Sequence, residues 1–99
     1  MQILALEKEL KAIDPQQHGV LLREEAACVW GFKKAGIIRD IWFTQRDKTA
    51  VVMLECPSEE AAKEHLAMLP LVREGLITFE ILPLRSYDGF DRLMDLNRS

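Results

Sequence analysis

The chain has 99 residues, with 13 Lys and Arg against 16 Asp and Glu, for a formal charge of −3. A chain of this length folds as one domain, which excludes an enzyme with a separate dinucleotide-binding domain. The hydrophobic fraction of 48% is typical of a soluble globular protein. Because there is no basic excess and no long apolar run, we expect no nucleic-acid partner and no membrane partner.

The apolar and turn patterns predict six elements in the order β-α-β-β-α-β. They are a strand at 3–6, a helix at 16–35, strands at 37–45 and 49–56, a helix that begins after Ser58 and ends at Pro70, and a strand at 76–84. Pro15 is predicted at an early position of the first helix. Gly36 is predicted as its left-handed C-terminal cap.

The first helix carries a wide stripe at helical spacing. Its central row consists of Leu22, Ala26, Val29 and Lys33. Glu25 lies in the neighbouring row, and Glu24 falls on the opposite side of the helix. The spacing predicts that this stripe faces the sheet.

The element order is typical of the ferredoxin-like α+β fold, a four-stranded antiparallel sheet with two helices on one face. Strict alternation in the second strand places Ile38 and Trp42 on one face, and Ile37, Ile41 and Phe43 on the other. Both faces of the sheet are then apolar. We therefore expect the uncovered face to pair with a second copy, in a homodimer or a larger homo-oligomer.

The domain boundary is predicted at residue 85. Residues 1–85 form the α/β domain, and residues 86–99 form a polar tail with scattered apolar side chains. The tail is expected to dock on the domain or on a neighbouring subunit. Cys28 and Cys56 belong to no cysteine pair or His cluster, so we expect reduced thiols, no metal site and a cytoplasmic location.

Three segments resemble the muconolactone isomerase family, which belongs to the dimeric α/β-barrel proteins. They are Gly-Ile-Ile-Arg-Asp-Ile-Trp at 36–42, Leu-Pro-Leu at 69–71, and Phe-Glu-Ile-Leu-Pro-Leu at 79–84. The resemblance implies an isomerase that moves a proton without metal or organic cofactor. It also implies a small-molecule ligand, either a carboxylated lactone or another intermediate of aromatic catabolism.

Such a reaction needs a group that removes a proton next to a carbonyl. A carboxylate or imidazole in an apolar pocket has a suitable pKa, and the candidates are Glu80, Glu25 and His65. His18 is a further candidate near the start of the first helix. Each also has a structural interpretation, as an interface or helix-flank carboxylate, a packing histidine or a solvated side chain.

Substrate binding is assigned to Arg39, Trp42, Arg85 and Tyr87. Arg39 is suited to a substrate carboxylate, or alternatively pairs with Glu55 on the adjacent strand. Trp42 walls a flat pocket or packs in an interface.

Arg85 and Tyr87 reach the pocket mouth or hold the tail on a neighbour. Two further functions stay open. One is a non-catalytic ligand-binding or assembly module, and the other is a cofactor-free monooxygenase-like enzyme.

Overall fold

A computed structural model describes residues 1–95. The strands are β1 (Gln2–Glu9), β2 (Ile38–Phe43), β3 (Ala50–Glu55) and β4 (Ile77–Pro83). The helices are α1 (Gly19–Lys34), α2 (Glu59–Ala67), α3 (Pro70–Arg73) and α4 (Asp91–Asp95).

The strands form one antiparallel sheet in the order β2-β3-β1-β4. The first and last strands of the chain are neighbours, and each β-α-β half contributes one inner and one outer strand. This is the ferredoxin-like α+β arrangement that the element order predicted, so the predicted fold class is confirmed.

The main core lies between the sheet and the helices. Alternate residues of β1 and β3 supply half of its buried residues, and α2 closes it with Ala62 and Leu66. The best-buried side chains are Ile3, Ile38, Val52, Leu54 and Leu69. On the opposite face of the sheet, which we call the open face, no helix within residues 1–95 is packed.

Strand β1 is longer than the sequence predicted, because it continues past Leu6 to Glu9. Antiparallel pairing with β4 extends the ladder, with Glu7 opposite Phe79 and Glu9 opposite Ile77. A polar sequence can extend a strand when a neighbouring strand satisfies its backbone groups. The extension places Glu7 on the helix-facing side, two residues after buried Ala5.

The predicted alternation of β2 is wrong at one point. The register shifts between Ile38, opposite Leu54, and Asp40, opposite Met53. Arg39 is therefore an extra residue in a β-bulge, which reverses the side-chain alternation beyond it. Ile38 consequently shares the helix-facing side with Ile41 and Phe43 rather than with Trp42.

The structure also differs from the predictions for the two prolines at helix ends. Pro15 lies in the turn before α1 and not in its first turn. Pro70 begins the short helix α3, where an N1 proline loses no hydrogen bond. In contrast, Ser58 caps α2 as predicted, with its Oγ accepting from the Ala61 N–H at 3.1 Å. Gly36 follows α1 with a φ of 79°, as predicted.

The tail up to residue 95 carries apolar side chains that are exposed. Tyr87 and Phe90 contact each other edge to face, with ring centroids 4.9 Å apart. Both rings are more than half exposed, as are Leu93 and Met94. Docking of the tail on a neighbouring subunit stays a prediction, and residues 96–99 lie outside the described residues. None of the helices in 1–95 has the length and apolarity needed to cross a bilayer.

Candidate functional site

An apolar cavity of about 580 Å³ lies between α1 and the helix-facing side of the sheet. The wall from α1 is the stripe that the sequence predicted, here represented by Leu22, Ala26 and Val29. No residue of α1 is fully buried, whereas alternate residues of strand β3 beneath it are buried. The stripe therefore packs only partly against the core and also lines a cavity. A cavity of this volume is in the range of small-molecule sites.

Two carboxylates point into this cavity from opposite walls. The Ala50 N–H donates to Oε1 of Glu7 at 2.9 Å, at the point where β3 begins. The Leu71 N–H in α3 donates to Oε1 of Glu25 at 2.9 Å. Each carboxylate thus keeps a fixed orientation through one backbone donor and retains its second oxygen for other partners.

Burial raises the pKa of the Glu25 carboxyl above its ordinary value, because desolvation disfavours the charged form. The hydrogen bond from Leu71 opposes this effect. The negative charge of Glu7 raises the pKa further, and the positive charge of Arg73 lowers it. Glu25 therefore holds its proton to a higher pH than an ordinary glutamate does.

Among residues 1–95, one cation lines the cavity. Lys33, in the last turn of α1, lines it and donates from Nζ to the carbonyl oxygen of Arg39 at 2.7 Å. The β-bulge at Arg39 exposes that carbonyl outside the regular ladder. The bulge thus helps to hold the ammonium group at the cavity wall.

Aromatic side chains surround the cavity where it opens to solvent. Trp30 is 59% exposed, Trp42 is 51% exposed and Phe43 is 62% exposed, and all three line the cavity. Phe79 lines it from the sheet. Flat rings at these positions favour a flat ligand.

Among the predicted site residues, the structure brings Glu25 and Trp42 together at the cavity. Arg39 contributes its backbone carbonyl to the Lys33 contact but does not line the cavity. The Arg39–Glu55 ion pair does not form within residues 1–95, because Glu55 binds the N-terminal amine instead. That amine is the main cause of the lowered pKa of Glu55, and Arg39 contributes least.

The other predicted residues lie away from the cavity. Glu80 pairs opposite Leu6 on the open face, on the far side of the sheet. His65 lies on α2 and contacts Phe32 edge to face, with ring centroids 5.4 Å apart. Arg85 and Tyr87 follow the end of β4 that pairs with Ile3, whereas the cavity lies toward the Glu7 end. His18 precedes α1, where its Nδ1 accepts from the Asp14 N–H at 3.0 Å.

Sequence reasoning missed Glu7 and assigned no site role to Lys33. The signal for Glu7 was present, since Ile3, Ala5 and Glu7 share one face of a strand if the strand continues. The signal for Lys33 was its place in the stripe of α1. The contact with Arg39 was not predictable, because it depends on the bulge.

A four-stranded antiparallel sheet with the element order β-α-β-β-α-β defines the class of fold as ferredoxin-like α+β. Among solved structures, the chain is similar to muconolactone isomerase, with a TM-score of 0.76 and 21% identity over 90% of this chain and 93% of that one. It is also similar to 5-chloro-2-hydroxyhydroquinone dehydrochlorinase from Burkholderia phenoliruptrix AC1100 in complex with 2,5-dihydroxybenzoquinone. For that protein the TM-score is 0.60 and the identity 15%, over 88% of this chain and 96% of that one.

No protein-family model matches the chain, and no curated protein matches it. The similarity thus lies in the fold, and at this level the resemblance stated from the sequence is confirmed.

Proposed function

We propose that the protein is an isomerase that moves a proton on a small cyclic carbonyl compound, a lactone or another intermediate of aromatic breakdown, without a cofactor. The observation that carries this proposal is the position of Glu25 in an apolar cavity, where burial raises its pKa. The activities named for the two similar structures support the substrate class, because both concern small cyclic compounds.

In the proposed reaction, the Glu25 carboxylate removes a proton from a carbon next to the carbonyl. The C–H electron pair moves toward the carbonyl oxygen and forms an enolate. The Lys33 ammonium lies at the cavity wall and stabilises that oxygen as its negative charge grows. Glu25 then returns the proton to a carbon further along the conjugated system. The double bond shifts and no atom is gained or lost.

Glu7 sets the electrostatic environment of this step. It lines the same cavity, and its charge is one of the two effects that raise the pKa of Glu25, after desolvation. A carboxyl with a raised pKa is a stronger base once ionised and can also hold the proton before returning it. Trp42 and Phe43 wall the cavity mouth and orient a flat ring.

Deuterium exchange tests this proposal. α-Angelica lactone, a neutral unsaturated lactone, incubated with the protein in D₂O should acquire deuterium at the carbon next to the carbonyl, as measured by NMR. Glu25→Gln should reduce the rate by about 100-fold or more, because it removes the base while keeping its size. The wild-type rate should rise with pH through a pKa above the ordinary carboxyl value.

Two matched variants serve as controls. Glu24→Gln removes a neighbouring carboxylate that is exposed and does not line the cavity, and it should leave the rate unchanged. Glu80→Gln tests the other predicted carboxylate base. Loss of exchange in Glu80→Gln with normal exchange in Glu25→Gln would refute the assignment of the base.

The open face supports the proposal that the protein self-associates through its sheet. Register and alternation place five apolar side chains there, Leu4, Leu6, Val51, Met53 and Leu82. Trp42 pairs opposite Val51 in the outer strand β2, and at this edge of the sheet it also borders the cavity. A contiguous apolar face of this kind is typical of an interface. Light scattering should report at least a dimer, and a monomer at micromolar concentration would contradict the proposal.

A further inference from the structure

The ionisable groups of the cavity give it an excess of negative charge. In the described part of the chain, three ionisable side chains line it, Glu7, Glu25 and Lys33. With both carboxylates ionised, they sum to two negative charges and one positive charge. The single ammonium group is also partly engaged, since it donates to the Arg39 carbonyl. A ligand that carries a carboxylate would meet two like charges and one shared cation.

The same carboxylates provide hydrogen-bond acceptors. Each uses Oε1 to accept one backbone N–H, from Ala50 or from Leu71. Within residues 1–95, the Oε2 atoms of Glu7 and Glu25 have no protein donor. An ionised carboxylate accepts hydrogen bonds and donates none, so the complementary groups on a ligand are donors. Hydroxyl groups on a ring have this property, and carboxylates do not.

The remaining surface of the cavity is apolar and aromatic. Val29 and Ile41 line it from facing walls, and Trp30, Trp42 and Phe79 add flat rings. Such walls favour the faces of a ring over a flexible polar chain. The carboxylate acceptors of Glu7 and Glu25 therefore lie in an otherwise apolar cavity. Small-molecule sites usually fix the orientation of a ligand through a few polar groups placed in this way.

We infer that the cavity selects neutral cyclic ligands that carry hydroxyl donors and discriminates against their carboxylated counterparts. Glu7 and Glu25 are the residues that set this specificity. This inference narrows the substrate class of the proposed isomerase and rests on the same cavity. If Glu7 only held the start of β3 in place, its substitution would not change the preference between two ligands. A changed preference therefore distinguishes a specificity role of Glu7 from a purely structural one.

A matched pair of ligands tests the inference. Hydroquinone and 2,5-dihydroxybenzoate share a ring and two para hydroxyl groups, and only the second carries a carboxylate. Binding is measured at neutral pH through quenching of Trp30 and Trp42 fluorescence and by calorimetry. Hydroquinone should bind at least tenfold more tightly. Glu7→Gln and Glu25→Gln should each reduce that ratio several-fold, since each removes one negative charge at constant size.

Glu24→Gln is the control, because it removes the same charge at an exposed position of α1, and the ratio should not change. Thermal melting of each variant establishes that it is folded. Equal or tighter binding of 2,5-dihydroxybenzoate, no binding of either compound, or a ratio that neither cavity variant changes would overturn the inference.

The binding ratio and the deuterium exchange give separate answers. Selective binding without exchange would refute the isomerase and leave the selectivity in place. Exchange on the neutral lactone together with tighter binding of the carboxylated ring would refute the selectivity and leave the isomerase in place.

Discussion

The two main helices cover the same face of the sheet in different ways. Helix α2 buries Ala62 and Leu66 completely or nearly so, and the following residues Leu69 and Leu71 are also buried. Helix α1 is longer, yet no residue in it is fully buried, and a cavity lies beneath it. Both helices have apolar stripes at helical spacing. An apolar stripe therefore identifies the side of a helix that faces the sheet, but it does not determine whether that side is filled or lines a space.

This difference separates stability from function. Helix α2 contributes buried side chains to the core, where each methylene contributes to folding free energy. Helix α1 leaves apolar surface uncovered beneath it, with Glu25 and Lys33 on the same helix, and in the proposed function this surface receives the ligand. Proteins commonly accept lower local stability where a site must remain open.

The largest expected effect contrasts two leucines. Leu66→Ala should lower the free energy of unfolding by about 2–5 kcal/mol, because it removes a side chain that is almost fully buried in the core. Leu22→Ala, at the cavity, should lower it by about 1 kcal/mol, since the removed atoms already border empty space. Urea unfolding measures both, and equal losses would break the contrast between the two helices.

A second pair of substitutions enlarges a side chain on each helix instead of truncating it. Ala62→Leu should destabilise the protein by about 1–3 kcal/mol, because Ala62 has no room for added methylenes. Ala26→Leu projects into the cavity and should cost less than about 0.5 kcal/mol. It should also abolish the increase in melting temperature that we expect hydroquinone to produce in the wild-type protein. Retained ligand binding in Ala26→Leu would show that ligands do not occupy this cavity.

The smallest expected effect concerns pH. Because the pKa of Glu25 is raised in the folded state, the folded protein holds this proton to higher pH than the unfolded chain does. The contribution of Glu25 to stability therefore falls as pH rises from the unfolded pKa through the folded one.

Glu25→Gln removes the loss of stability that ionisation of Glu25 causes as pH rises. It keeps an oxygen that accepts from the Leu71 N–H. Its melting temperature relative to wild type should therefore be higher at about pH 7 than at about pH 3, where both states of Glu25 are protonated. A constant difference between the two proteins across this range would contradict the raised pKa. Glu24→Gln at the exposed position supplies the reference.

The sequence predicted much of what local physics controls. Element order, the Ser58 cap and the left-handed Gly36 follow from backbone and side-chain preferences within a few residues. The stripe of α1 and the apolar character of both sheet faces follow from periodicity. These features were enough to predict the fold and to name Glu25 and Trp42 as candidate site residues.

Only the tertiary structure decided which of those residues share a cavity. The continuation of β1 to Glu7 depends on pairing with β4, and the bulge at Arg39 depends on the register with β3. The Lys33–Arg39 contact follows from that bulge. Whether α1 packs on the sheet or stands above a cavity depends on the positions of the other elements. Strand register and helix placement arise from contacts between distant segments, which periodicity within one segment does not encode.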